Sequence, residues 1–307
     1  MISFKPEMDA NQATDILRQT LGSAVSEVTP IEHGEISRVF SFRHGAGEYV
    51  VHFKDSRDGF DKERYLYETV SSPYIPIPRV AEIGEVNGIF YKITEKAPGQ
   101  SVISYKEHTV KAILPDLVRK FAAINEVRPA AHTSGYGWIA PSGGGSHDSW
   151  PAFLASFFQE EQTGFWHGWY ALFEETFLER DIFDRLYAIM MEKADASPQE
   201  RYLVHGDFHL ANMLSDGRAI TGIVDWEMAM YGDFVFDLAI QHLWTPQLQI
   251  PRLVRDTWAG DGRDIPRFEE RLQCALLFKG LDGLRFYAKK GDRISYESVK
   301  RDLLELV

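Results

Sequence analysis

The residues best suited to do chemistry lie in the segment LVHGDFHLANML, Leu203 to Leu214. Its polar members are His205, Asp207, His209 and Asn212. Two chemistries compete for this segment, because histidines four apart on a helix can bind zinc, whereas an aspartate followed by an asparagine can serve phosphoryl transfer. Gly206 disfavours a helix, and no cysteine cluster or obvious third ligand follows, so zinc is the weaker alternative.

Phosphoryl transfer uses more of these residues. Asp207 can accept the proton of a substrate hydroxyl, and Asn212, five positions later, can offer a neutral oxygen to Mg²⁺. Asp225, in the segment GIVDWE, ends an apolar strand-like run that can present its carboxylate at the mouth of a cleft. Mg²⁺ prefers such oxygen ligands and keeps positions for phosphate oxygens and water. A base, an amide and a metal carboxylate in this order are the minimum set for a kinase.

The elements that must position these residues change in character along the chain. The first third predicts a sheet with one helix: residues 26–54 favour strand, turn, strand, residues 58–72 have helical spacing, and two further strands flank the turn Asn87-Gly88. From Gln100 onward most segments are helical. We therefore predict an α+β fold with two lobes, residues 1–97 and residues 98–307, with a ligand cleft between them.

Composition limits the function classes. The 307 residues are 44% hydrophobic and 25% charged, as in folded globular proteins. The formal net charge of −12 argues against nucleic-acid binding, which needs clustered Lys and Arg, and permits a cationic partner. A single cysteine, Cys274, excludes an intramolecular disulfide. The first residues do not resemble a signal peptide and no apolar stretch could span a membrane, so we predict a cytoplasmic protein without a membrane partner; monomer and dimer remain open.

Several segments carry a family resemblance. Three segments of this chain resemble the catalytic core of the aminoglycoside phosphotransferase family. They are HGDFHLAN, IVDWE and GDFVFDLA. The segments GEISRVFSF, EYVVHF, TSGYG and FKGLDGL, with the long segment that begins DGFDKERYLYE, look like those of hygromycin B phosphotransferases in particular. The resemblance implies a protein-kinase-like fold. The small N-lobe, residues 1–97, would contain a sheet with one helix and bind the nucleotide, and the larger helical C-lobe, residues 98–307, would carry the catalytic loop and the substrate-binding helices. It also implies ATP and Mg²⁺ as cofactors.

The resemblance also implies roles for single residues. Asp207 resembles the general base, and Asn212 and Asp225 resemble the magnesium ligands. Asp233 and Asp237 are interpreted as structural acids that anchor the loop after Asp225 and the next helix start. The acceptor of this family sits among the C-lobe helices, which makes aromatic and acidic residues candidates for it. These candidates are Glu160, Glu161, Trp166, Trp169 and Glu227.

On the nucleotide side, Ser37 resembles part of the nucleotide-positioning loop. Glu63 resembles the helix glutamate that pairs with the lysine of the phosphate-binding strand. The segment ITEKAPG resembles the hinge, whose backbone would bond adenine. The hinge residues are Glu95, Lys96 and Ala97.

One position departs from the family pattern. In EYVVHFK the place expected to hold Lys or Arg is taken by His52, with Lys54 two residues later. Both point to the same face of a strand. Either Lys54 binds the phosphates, which we favour slightly, or a protonated His52 does so with help from Glu63. A neutral histidine would be a weak substitute for a permanent cation.

The expected function is transfer of the ATP γ-phosphate to a hydroxyl of an aminoglycoside such as hygromycin B, a small cationic hydroxylated substrate, which would confer antibiotic resistance. The alternative is a metabolite kinase of the same fold that acts on a sugar or an amino alcohol, such as choline, homoserine or a fructosamine. A non-catalytic nucleotide-binding protein is favoured only by His52, while Asp207, Asn212 and Asp225 argue against it.

Overall fold

The computed structural model describes residues 5–32, 37–57 and 59–307. Its strands are β1 Val25–Ile31, β2 Arg38–His44, β3 Gly47–Lys54, β4 Val80–Val86, β5 Ile89–Glu95, β6 Gln100–Ser101, β7 Gly137–Trp138, β8 Tyr202–Val204, β9 Met213–Ser215, β10 Ile220–Ile223 and β11 Met230–Gly232. Its α-helices are α1 Ala10–Leu21, α2 Phe60–Val70, α3 Glu107–Glu126, α4 Trp150–Ser156, α5 Leu172–Glu175, α6 Arg180–Ala194, α7 Val235–Trp244, α8 Ile250–Gly260, α9 Phe268–Lys290 and α10 Arg293–Leu304. Short 3₁₀ turns occur between them.

The chain packs as two bodies. The first body contains the described residues up to Lys120 together with Ala211–Met228, and the second contains Phe121–Leu210 and Ala229–Val307. Residues 98–120 and 211–228 are joined to each other in the first body, because β6 pairs with β9 and β9 pairs with β10 in a separate three-stranded sheet. The division of nucleotide-binding residues 1–97 from residues 98–307 as functional lobes stays a prediction.

An antiparallel sheet of five strands, in the order β1-β2-β3-β5-β4, forms the centre of the first body. Successive side chains along each strand point to opposite faces of the sheet. One face carries Val51 and Phe53, which are fully buried in a core with Leu17 of α1. The opposite face carries His52 of β3, and the residue paired with it on β5 is Lys92. Alternation therefore places an apolar layer on the side of α1 and a charged layer on the other side.

Local turn and cap signals form as the sequence predicts. Asn87 and Gly88 both have positive φ, 55° and 80°, as a two-residue hairpin turn requires. Helix α1 begins with a capping box, in which the Asp9 carboxylate accepts from the backbone N–H groups of Asn11 and Gln12. These short-range features fix the ends of the elements that form the first body.

The second body is mainly helical. Helix α9 is its longest helix and packs against α6, α7 and α10. Its apolar core contains the side chains of Trp150, Phe153, Phe236, Phe278 and Leu281. A small antiparallel sheet in the order β7-β11-β8 leads into the residues around Asp207. No helix among the described residues combines the length and the apolar character needed to cross a membrane.

Gly99 is required by a close approach in the first body. Its φ is +94°, and a Cβ atom built on it would lie 1.9 Å from the backbone oxygen of Ser215. We expect Gly99→Ala to lower the free energy of unfolding by about 2 kcal/mol or more, because the backbone of β9 must move. Gly88→Ala is the matched control, since Gly88 also has positive φ but nothing within 4 Å. Equal losses in the two variants, measured by denaturant unfolding, would contradict the role of the close approach.

Candidate active site

The Asp207 loop, residues 205–209, is held by a buried carboxylate. It follows β8 and turns at Gly206, whose φ of 85° suits glycine. The backbone N–H groups of His205 and Gly206 donate to the two carboxylate oxygens of Asp237 on α7, at 2.8 and 2.9 Å. Burial raises the pKa of Asp237 to about 7, against the two hydrogen bonds, which lower it. The Asp207 loop is therefore held by the side chain of Asp237, which is 1% exposed.

Asp207 is kept ionised by its neighbours. Burial opposes its ionisation, but the hydrogen bond from His209 and the charge of Lys279, with smaller contributions from His209 and His205, lower its pKa to about 2. The Nε2 atom of His209 lies 3.2 Å from the Asp207 carboxylate. The Nδ1 atom of His205 accepts the backbone N–H of Asp207 at 3.2 Å. The two histidines thus serve Asp207 in different ways, which disfavours the zinc alternative.

Trp244 extends this group of residues. Its indole stacks on the ring of His209 with centroids 4.2 Å apart and an interplanar angle of 26°. The indole is 55% exposed, although it lies at the end of a largely buried helix. Trp244 is not among the residues predicted from the sequence, because nothing in the local pattern links it to a histidine so far upstream.

Asn212 and Asp225 lie at one end of the hairpin of β9 and β10 in the first body. Asn212 immediately precedes β9 and Asp225 follows β10 by one residue, and the backbone N–H of Val224 donates to the backbone oxygen of Asn212 at 2.9 Å. Asp225 has a φ of 66°, a strained value for a non-glycine residue that is often found at functional sites. Both side chains are partly exposed. Their amide and carboxylate oxygens are the hard donors that suit Mg²⁺.

Glu63 has a partner that differs from the predicted one. Its carboxylate oxygens accept from Nζ of Lys92 on β5, both at 2.6 Å, rather than from a lysine of β3. The two side chains are 8% and 3% exposed. The strand assumed for the cation was therefore wrong, because Lys92 lies directly across from His52 on the next strand and reaches α2 from there.

His52 does not act as a cation. Burial, Lys92 and Lys54, in that order, hold its pKa well below the usual value, so the ring is neutral at neutral pH. This lowered pKa disfavours the protonated His52 considered from the sequence. Lys54 forms an ion pair with the carboxylate of Glu227, two residues after Asp225. A contact of Lys54 with phosphates stays a prediction.

The hinge side chains are engaged at the surface. Glu95 pairs with Arg79 at 2.7 Å, and Lys96 pairs with Glu48 at 3.1 Å. The backbone N–H groups of Glu95 and Lys96 also have acceptors, the backbone oxygens of Arg79 and Glu48 at 2.9 and 3.0 Å. Adenine binding by the backbone of residues 95–97 stays a prediction. Ser37 is partly buried directly before β2. The residues 33–36 of its predicted loop lie outside the described residues.

The acceptor candidates separate into different environments. Glu160 and Glu161 are exposed in the second body. Trp169 is 1% exposed and its Nε1 donates to the backbone oxygen of Gln159, so it is a core residue and its prediction as a substrate contact is corrected. Trp166 is partly buried against the guanidinium of Arg285.

Glu227, the remaining acceptor candidate, belongs to the first body. It binds Lys54 through its carboxylate and Lys62 through its backbone oxygen. These contacts tie the segment after Asp225 to β3 and α2. They give Glu227 a structural role, which the prediction of Glu227 as an acceptor contact did not include.

Two acidic residues have structural tasks that were only partly anticipated. Asp233 binds Arg271 through two hydrogen bonds of 2.9 and 2.6 Å and also accepts from the backbone N–H of Val235, at the start of α7. This agrees with the predicted helix-start role. Asp237 anchors the loop before Asp207 rather than the loop after Asp225, which corrects that interpretation.

The five-stranded sheet with α1 and α2, the helical second body and the order Asp207, Asn212, Asp225 define a phosphotransferase of the protein-kinase-like fold. The model of the phosphotransferase enzyme family, abbreviated APH, matches residues 27–271. The chain belongs to this family. The predicted family and fold are thereby confirmed.

The chain is similar to a hygromycin-B kinase and to solved structures of an aminoglycoside phosphotransferase. Hygromycin-B 4-O-kinase of Escherichia coli is 32% identical over 245 residues, which is 80% of this chain and 70% of that protein. A crystal structure of aminoglycoside phosphotransferase APH(4)-Ia has 27% identity and a TM-score of 0.83, covering 97% of this chain and 98% of that chain. A thermostable mutant of it, in ternary complex with AMP-PNP and hygromycin B, has 28% identity and a TM-score of 0.82, covering 95% and 97%.

The anchor of the Asp207 loop can be tested by Asp237→Asn. The amide replaces one acceptor oxygen with NH₂, so one backbone N–H of the loop loses its acceptor. We expect the free energy of unfolding to fall by about 1–3 kcal/mol and kcat to fall with it. Denaturant unfolding and turnover measure the two effects. Asp184→Asn, at an exposed position of α6, should change stability by less than about 0.5 kcal/mol. Two variants of equal stability would remove the anchoring role.

Proposed function

We propose that this protein transfers the γ-phosphate of ATP to a hydroxyl group of an aminoglycoside of the hygromycin B type. The proposal rests on the ionised carboxylate of Asp207, which lies five residues before Asn212 in a loop that Asp237 anchors by hydrogen bonds. The named relatives supply the acceptor class, since one is a hygromycin-B kinase and another was crystallised with hygromycin B. The acidic net charge of −12 suits a polycationic acceptor.

Asp207 would orient the acceptor hydroxyl for in-line attack on the γ-phosphorus. A bond forms between the hydroxyl oxygen and phosphorus, the bond from phosphorus to the β–γ bridging oxygen breaks, and ADP leaves. The hydroxyl proton passes to the Asp207 carboxylate. Because a carboxylate with a pKa of about 2 attracts protons weakly, its main contribution is orientation, and it accepts the proton as the new bond makes the hydroxyl acidic.

Asn212 and Asp225 would hold Mg²⁺. The bound ion neutralises phosphate charge and aligns the transferred group. The residues of this chain contribute two oxygen donors at one end of the β9–β10 hairpin, and they leave positions for phosphate oxygens and water. The strained backbone of Asp225 fits this role, because structure elsewhere must stabilise such a conformation.

The biological consequence is antibiotic resistance. An aminoglycoside is a cation that recognises RNA phosphates, and a phosphate group adds bulk and negative charge to it. The product should bind RNA more weakly than the substrate does. We place this reaction in the cytoplasm, where ATP and the ribosomal target of the antibiotic are both present.

The proposal is tested by incubating the purified protein with Mg²⁺, ATP and single acceptors, with products followed by mass spectrometry. The acceptors are hygromycin B, kanamycin, a macrolide, choline and homoserine. We expect a singly phosphorylated hygromycin B, and we expect Asp207→Asn to lower its rate by roughly 10²- to 10⁴-fold with unchanged thermal stability. Turnover of choline or homoserine with none of hygromycin B would replace the acceptor assignment by a metabolite kinase.

Trp244 should contribute to acceptor binding through its exposed indole. We expect Trp244→Ala to raise KM for hygromycin B by roughly threefold to tenfold, as the loss of an aromatic contact would do, while KM for ATP stays constant. Trp244→Phe retains a ring and should recover most of the affinity. A change confined to KM for ATP would place the indole away from the acceptor.

A further inference from the structure

On one face of the first-body sheet, β3 and β5 carry three residues that could provide a positive charge. His52 and Lys54 are two residues apart on β3, and Lys92 is the residue on β5 that pairs with His52. Residues opposite each other on antiparallel strands project to the same side of the sheet. The positions where β3 or β5 could provide a cation toward α2 are therefore these three.

Each lysine on this face is bound by its own carboxylate. Lys92 binds Glu63 of α2, and Lys54 binds Glu227. The ring of Phe60 separates them, with the two ammonium groups 5.2 and 5.4 Å from its centroid. Glu63 is therefore served by Lys92, and the cation that the helix glutamate holds comes from β5.

The position of Lys92 along the sheet also fits a phosphate-binding cation. Lys92 lies three residues before the end of β5 at Glu95, roughly 10 Å from the hinge at about 3.4 Å per residue. Lys54 pairs with Phe90, two residues farther from the hinge. An adenosine whose base binds the hinge backbone would bring its phosphates to the level of Lys92 and His52 before that of Lys54.

We propose that Lys92, held by Glu63, is the cation that binds the nucleotide phosphates in this protein, in place of the residue at position 52 of β3. His52 is a neutral neighbour that leaves room for the lysine of the adjacent strand. The carboxylate of Glu63 on α2 is thus paired with a lysine of β5 and not with a residue of β3. The inference deepens the proposed function, because it assigns the phosphate contact of the same nucleotide site.

The test measures binding of AMP-PNP and of adenosine to the full chain in the presence of Mg²⁺ and without acceptor. Lys92→Met alone leaves Glu63 buried without a cation, which can destabilise the protein. The double variant Lys92→Met with Glu63→Met removes both charges and keeps the volume similar. We expect either variant to weaken AMP-PNP binding by at least about tenfold, and adenosine binding by less than about twofold, since adenosine has no phosphates.

A charge-transfer variant supplies the decisive comparison. His52→Lys together with Lys92→Met returns a cation to β3 opposite its original position and leaves Glu63 in place. We expect this variant to recover most of the AMP-PNP affinity lost in Lys92→Met. Lys111→Met, at an exposed ion pair on α3, is the matched control and should bind both ligands as the unmodified protein does.

Three results would overturn the inference. One is unchanged AMP-PNP affinity in both Lys92 variants, and another is an equal loss for AMP-PNP and adenosine, which indicates a structural role only. The third is a phosphate-specific loss in Lys54→Met without one in Lys92→Met. Because these measurements need no acceptor, a failure to phosphorylate hygromycin B would contradict the proposed acceptor and leave the assignment of Lys92 standing.

Discussion

The first body depends on the requirement that a buried charge be paired. An ammonium or carboxylate removed from water loses several kcal/mol of solvation, which only a close counter-charge and hydrogen bonds can offset. Lys92 and Glu63 meet this requirement together, and their contact joins α2 to β5. Burial and the charges of Lys92 and Lys54 lower the pKa of His52 on the same face, so its ring stays neutral at neutral pH.

In the second body, the buried polar groups that need partners are backbone N–H groups. The backbone N–H groups of a tight turn need acceptors when the turn is buried, and Asp237 supplies both of them. Phe208 is buried within the loop and packs near Phe121, so apolar contact and hydrogen bonding hold the same short segment. The hydrogen bonds and the packing of the loop together orient the carboxylate of Asp207. Such preorganisation is what positioning catalysis requires.

Local rules made much of this protein predictable from its sequence. Period-two alternation, the Asn87-Gly88 turn and the spacing of Asp207, Asn212 and Asp225 act between near neighbours in the chain, and the strands, the hairpin and the family follow from them. The tertiary structure alone decided that Glu63 binds Lys92, that Trp244 stacks on His209 and that Trp169 is a core residue. These contacts join residues distant in the chain. They depend on strand register and on how helices pack, and a one-dimensional pattern does not contain that information.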